Sequence, residues 1–187
     1  MNVALRRSMT VAEFLAWEAK QEGRYEFDGI RPRAMTGGTL AHNRIGNNLR
    51  RRLDDALEGR QCSAWGPDAK VEVAGKVYYP DAAVTCSPTD GRSYLLPEPV
   101  VIIEVLSEST AEIDLGTKSI DYRSLPSLRH YVLVAQTQPT VTVLTLLDDT
   151  WVWTSHTSGG TVSLDAIGVT LLVDQLYANV SFPDAAA

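Results

Sequence analysis

The sequence predicts an α/β (α+β) fold, a mixed β-sheet flanked by helices, and three observations predict it. The run Pro99–Ser107 is almost continuously apolar and β-branched, as in a strand buried on both faces. Ile45, Leu49, Leu53 and Leu57 recur every fourth residue, which makes the apolar stripe of a helix over about 39–58. Helical and strand-like segments follow one another in a single series, without repeats or a long linker, so 187 residues fit one domain with a full core.

The elements follow in order. Residues 9–20 predict a helix opened by a Thr10–Glu13 capping box and a Met9–Phe14 staple. Asp28-Gly29 between two short runs is a hairpin turn signal, and Gly59 suits the end of the second helix. Residues 71–74 and 77–86 read as a hairpin around Gly75-Lys76, with Pro80 marking an edge, a bulge or a strand start. A polar loop covers 87–98, and a helix over about 111–124 links the central strand to a second buried strand, His130–Ala135. That βαβ step is expected to cross right-handed. Residues 140–147 and 151–155 make a hairpin through Asp148-Asp149. Residues 10–146 are read as the core and 147–180 as a β-rich extension, before a disordered Ala-rich tail. Trp65, Trp151 and Trp153 read as core or hairpin residues.

Composition narrows the function. A net charge of −6 argues against a protein that coats nucleic acid non-specifically. Arg44, Arg50, Arg51 and Arg52 crowd one helix and read as a solvated face, although they could contact phosphate. Cys62 and Cys86 form no metal motif; a disulfide between them is possible, but without a framework of spaced cysteines two reduced thiols are the better reading. The N-terminus lacks the apolar core of a signal peptide, and no run is long enough to span a bilayer, so the expectation is a cytoplasmic protein without a membrane partner. No phosphate loop, CxxC, HExxH or GxSxG occurs, and no organic cofactor is expected.

Glu104 is the most informative residue. A carboxylate inside an apolar strand must meet a cation, a hydrogen-bond donor or a proton, or lie at the solvent end of the strand. Asp81 stands 23 residues earlier, far enough for the chain to turn and return on a neighbouring strand; by itself it reads as a turn residue. Together the two carboxylates would suit a hard cation such as Mg²⁺, with the Val105 carbonyl as a further ligand. Asp114, Lys118 and Tyr122 are spaced four apart on one helical face. Lys118 could serve a reacting phosphate, or merely pair with Asp114 in solvent. His42 lies on the inward stripe of its helix, where a lone histidine is more often a core residue than a catalyst, and Glu26 reads as an exposed strand position.

The segments RYEFDG, AHNRIGNNLRRRL, YYPDAAV, VIIEVLSEST and DLGTKSIDYRSLPSLRHYVLV, in this order, resemble the Uma-two family of "putative restriction endonucleases" within the PD-(D/E)XK nuclease superfamily. The resemblance runs from Thr10 to about residue 145. It implies a restriction-endonuclease-like core, Asp81 and Glu104 as metal ligands, and Lys118 as the catalytic lysine moved from the strand into the next helix. Leu106 stands where the plain motif has that lysine. Glu26, His42, Tyr122 and Ser107 match supporting positions. The implied activity is Mg²⁺-dependent cutting of DNA, with Mn²⁺ able to substitute, in a protein that pairs as a homodimer. The alternative is a catalytically silent module of the same fold that binds nucleic acid or protein. A metal-free hydrolase using two carboxylates has no motif beyond the acids.

Overall fold

The computed structural model describes residues 9–107 and 110–182; the expected tail and the N-terminal eight residues lie outside this range. Helix α1 (Val11–Glu18) starts at Thr10, whose hydroxyl accepts from the Glu13 N–H while the Glu13 carboxylate accepts from the Thr10 N–H. Met9 packs against the cluster of Phe14, Phe27 and Val77, on the side where the staple pattern places it. Strands β1 (Tyr25–Phe27) and β2 (Pro32–Ala34) pair through a turn in which Asp28 accepts from the N–H groups of Ile30 and Arg31. Helix α2 (Leu40–Leu57) buries Ile45, Leu49, Leu53 and Leu57, and Gly59 at φ +72° takes the chain away from its end.

The expected 77–86 strand is two strands. Pro80 cannot donate to a ladder, and the run breaks there. Its first part, β5 (Lys76–Tyr78), joins β4 (Val71–Val73) in a small sheet of order β2-β1-β5-β4. Its second part, β6 (Ala82–Thr85), crosses into the main sheet beside β3 (Ser63–Trp65). The central strand is β7 (Pro99–Leu106), antiparallel to β6 and parallel to β8 (His130–Ala135). Strands β9 (Thr140–Leu147) and β10 (Thr150–Thr157) complete the order β10-β9-β8-β7-β6-β3. Asp148 and Asp149 turn this hairpin with φ of 43° and 63°.

The segment between β7 and β8 is not one regular helix. Short helices α3 (Ala111–Ile113) and α4 (Ser119–Tyr122) flank a π-helical turn, Asp114–Lys118. Alternation along β7 then divides the molecule. Val101, Ile103 and Val105 face α2, and Ile102 faces Tyr122 and Tyr131. Strands β11 (Thr161–Leu164) and β12 (Val169–Leu172) and helix α5 (Val173–Leu176) pack into the same core as α2, not as a separate layer. Among the described residues no helix is long and apolar enough to cross a membrane.

The cysteines also depart from expectation. Cys62 and Cys86 are joined as a disulfide. The reason is register: Ser63 lies opposite Thr85 in the β3–β6 ladder, so the cysteines just outside it fall opposite each other. The 24-residue separation could not reveal this without the strand pairing. Reduction is expected to lower stability by about 3 kcal/mol, the loop-entropy value for such a span; denaturant titrations with and without reductant measure it.

Candidate active site

Strand register and the π turn bring the predicted residues to one cleft of about 570 Å³, lined among others by Glu26, His42, Asp81, Glu104, Asp114 and Lys118. Ala82 pairs with Ile103, so Asp81, one residue before β6, meets the end of β7 beside Glu104. Asp81 Oδ2 accepts from the Val105 N–H at 2.7 Å and lies 3.3 Å from His42 Nε2. The hydrogen bond that His42 donates to Asp81 raises the pKa of His42 against the opposing effect of burial.

Glu104 is 3% exposed, and burial pushes its carboxyl well above the usual carboxylate range, against the pull of Lys118. Its Oε1 accepts from the Tyr122 hydroxyl at 3.1 Å and lies 3.4 Å from Lys118 Nζ. Lys118 is buried too. Burial by itself would depress its pKa, but Glu104, Glu26 and Asp114 together outweigh burial and hold the ammonium charged. Its Nζ lies 2.8 Å from Glu26 and 3.4 Å from Asp114. The Asp114–Lys118 pair is therefore not the solvated surface bridge that spacing alone suggests. The wide turn points both side chains inward, and burial raises the Asp114 carboxyl.

Glu26 is not an exposed strand position either. It reaches across from the small sheet, accepts from the Tyr79 N–H at 3.3 Å, and pairs with Lys118. His42 is one-fifth exposed at the cleft rather than in the core. Ser107 lies at the cleft wall, its hydroxyl 2.9 Å from that of Thr110. None of the four arginines lines the cleft: Arg51 and Arg52 approach Asp55, and Arg50 packs over Gly66.

Three features were missed in the sequence. Asp114 carried a signal, its four-residue spacing from Lys118, but spacing does not say that the face is buried. Its Oδ1 is buried, with Lys118 Nζ at 3.4 Å as its neighbouring cation. A second buried pair, Glu18–Lys70 at 2.6 Å with the Tyr79 hydroxyl on Glu18, ties α1 to the chain just before Asp81. Gly38 stands against His42, and an added Cβ would lie 2.9 Å from Nδ1. Gly38→Ala is expected to push the ring off Asp81 and move the His42 titration down toward its ordinary 6.5. NMR titration checks this; an unchanged His42 would show that the ring is held elsewhere.

The oxygen donors fit a hard divalent cation in kind. In the arrangement described, however, protein cations already hold these acids. Among the described residues no group of three or more His, Cys, Asp or Glu is placed to take a metal as it stands.

Comparison with known proteins agrees with this architecture. Residues 11–174 match the Uma2 family model, described as "Putative restriction endonuclease". The Synechocystis protein slr1290 is 31% identical over 174 residues, spanning 91% of this chain and 92% of that protein. A second Synechocystis protein, sll1609, is 32% identical over 141 residues, spanning 73% of this chain and 80% of its own. Both bear the printed name "Uncharacterized protein". A crystal structure titled as a putative nuclease of DUF820 from Anabaena variabilis shares the fold, with a TM-score of 0.75 at 17% identity over 91% of this chain and 98% of that one. With the family model covering most of its length and a full-length relative above 30% identity, the chain belongs to the Uma2 family and has a nuclease-like fold.

Proposed function

We propose that the protein is a Mg²⁺-dependent endonuclease that hydrolyses phosphodiester bonds of DNA. The observation that carries this reading is the meeting of Asp81 and Glu104, at the ends of adjacent strands, with Lys118 at the wall of the same cleft. Asp81, Glu104 and the Val105 carbonyl would hold the ion. When bound, Mg²⁺ supplies charge neutralisation at the phosphate and a water of lowered pKa.

The chain's own residues do the rest. Tyr122 fixes the rotamer of Glu104 by its hydroxyl bond, and His42 and the Val105 N–H fix Asp81. Lys118, charged and buried, orients the attacking water or steadies negative charge as it builds on the phosphate. Glu26 holds Lys118 in place, or serves as a ligand to a second ion. The test is nicking of supercoiled plasmid in Mg²⁺ or Mn²⁺. Cutting in EDTA would overturn the metal-dependent reading.

One observation favours a second reading, a silent module of the same fold. Every acid of the cleft already has an internal cation beside it, Lys118 or His42. Calorimetry separates the two readings. A working site takes up Mn²⁺ and loses that uptake in Asp81→Ala; a silent one shows no uptake in either protein.

A further inference from the structure

The main sheet ends on β10, an eight-residue edge strand whose outer side faces no other strand among the described residues. Open edges of this length are normally blunted by lysine, proline, a bulge or a covering segment. Strand β10 reads TWVWTSHT: none of the chain's Lys, Arg, Asp or Glu and none of its prolines falls on it, and its ladder with β9 runs without a register shift. It also exposes two large apolar side chains on opposite faces, Val152 at 41% and Trp153 at 53%. The other edge of the sheet, β3, is only three residues long. An uncharged eight-residue edge at one side, with no edge of comparable length at the other, finds its best match in its own copy. Self-pairing closes after two copies instead of growing into a fibre.

Geometry fixes the register. The two-residue turn Asp148-Asp149 makes Leu147 and Thr150 a hydrogen-bonded pair. Thr150, Val152, Thr154 and His156 therefore spend their backbone groups on β9. Trp151, Trp153, Ser155 and Thr157 turn theirs outward. In a two-fold antiparallel pairing, partners across the axis must lie on the same face and bond in the same direction, so the axis passes through a residue facing its own copy. Placing Thr154 on the axis satisfies every outward-facing group: Trp151 bonds Thr157 of the second copy, and Trp153 bonds Ser155. In that register Val152 faces His156. The two Trp153 rings become diagonal neighbours on one face, within reach of aromatic contact. The Asp148-Asp149 turn falls beyond the ladder, so no acid of one copy enters the other's strand.

We propose that β10 is the surface through which two copies of this chain pair edge to edge, joining their sheets into one across a two-fold axis at Thr154. None of the residues lining the cleft lies on β9 or β10, so both clefts stay open, and the proposal holds whether or not the cleft cuts DNA.

Position 154 gives a direct test, because the two copies of its side chain face each other in a close pair. Wild-type protein at micromolar concentration is expected to sediment at twice the 20.5 kDa of one chain. Thr154→Lys and Thr154→Glu should each fall to the single-chain mass, since like charges then stand directly opposite. An equal mixture of the two variants should recover the doubled mass, which a folding defect could not do. A single-chain mass for the wild type, larger open-ended species, doubled mass retained in Thr154→Lys, or a mixture that stays at the single-chain mass with both variants folded would each overturn the proposal.

Discussion

Asp81→Ala protein is expected to leave supercoiled plasmid intact where the wild type nicks it, a loss on the order of 10³-fold or more, and Glu104→Ala to do the same. The two substitutions reach this result with different structural costs. Asp81 is partly exposed, and its removal frees the Val105 N–H and His42, both near the open cleft and reachable by water. The fold should survive with little loss. Glu104 is buried, and its removal leaves the Tyr122 hydroxyl without its acceptor, while Lys118 keeps Glu26 and Asp114. A cost of about 1–3 kcal/mol follows from that orphaned donor. Thermal melts run beside the nicking assay separate lost chemistry from lost fold. Cutting that persists in both variants, with both folded, would sink the assignment of this site.

Lys118→Met should show the largest effect on stability. The substitution keeps the bulk of the stem and removes the charge that three buried or half-buried acids share. Removing one partner of a buried ionic group costs about 3–5 kcal/mol, because the remaining charges are left without compensation. Glu104 and Asp114, already raised by burial, should then take up protons at neutral pH. A divalent cation is the natural replacement for the lost ammonium. Mn²⁺ is therefore expected to restore more of the melting temperature in Lys118→Met than it adds to the wild type. If the variant melts like the wild type without metal, Lys118 is not the counter-ion of this cluster.

The π turn explains why one lysine can meet three acids. Asp114 and Lys118 bracket the wide turn, and the i,i+4 spacing continues to Tyr122. Lys118 thus sits over the Tyr78 ring and between the main sheet's Glu104 and the small sheet's Glu26. Such local widenings of a helix often accompany functional sites.

The sequence by itself determined whatever depends on near neighbours. The capping box and staple of α1, the four-residue stripe of α2, the β-branched run of β7 and the Asp-Asp hairpin are written within a few residues each, and each forms as those residues require. The ordered motifs carried the family as well. Tertiary structure alone decided what depends on distant partners. Pro80 marked a discontinuity, but only sheet assembly sent β5 and β6 into different sheets and so aimed Asp81 at Glu104. Register alone joined Cys62 to Cys86. Glu26 looked like a solvent-facing position because its partner, Lys118, is 92 residues away in sequence and belongs to another layer. The physical reason is common to all three. Local patterns fix which face a side chain takes, but whether that face meets water, another sheet or a buried cation is set by packing between segments that the linear order keeps apart.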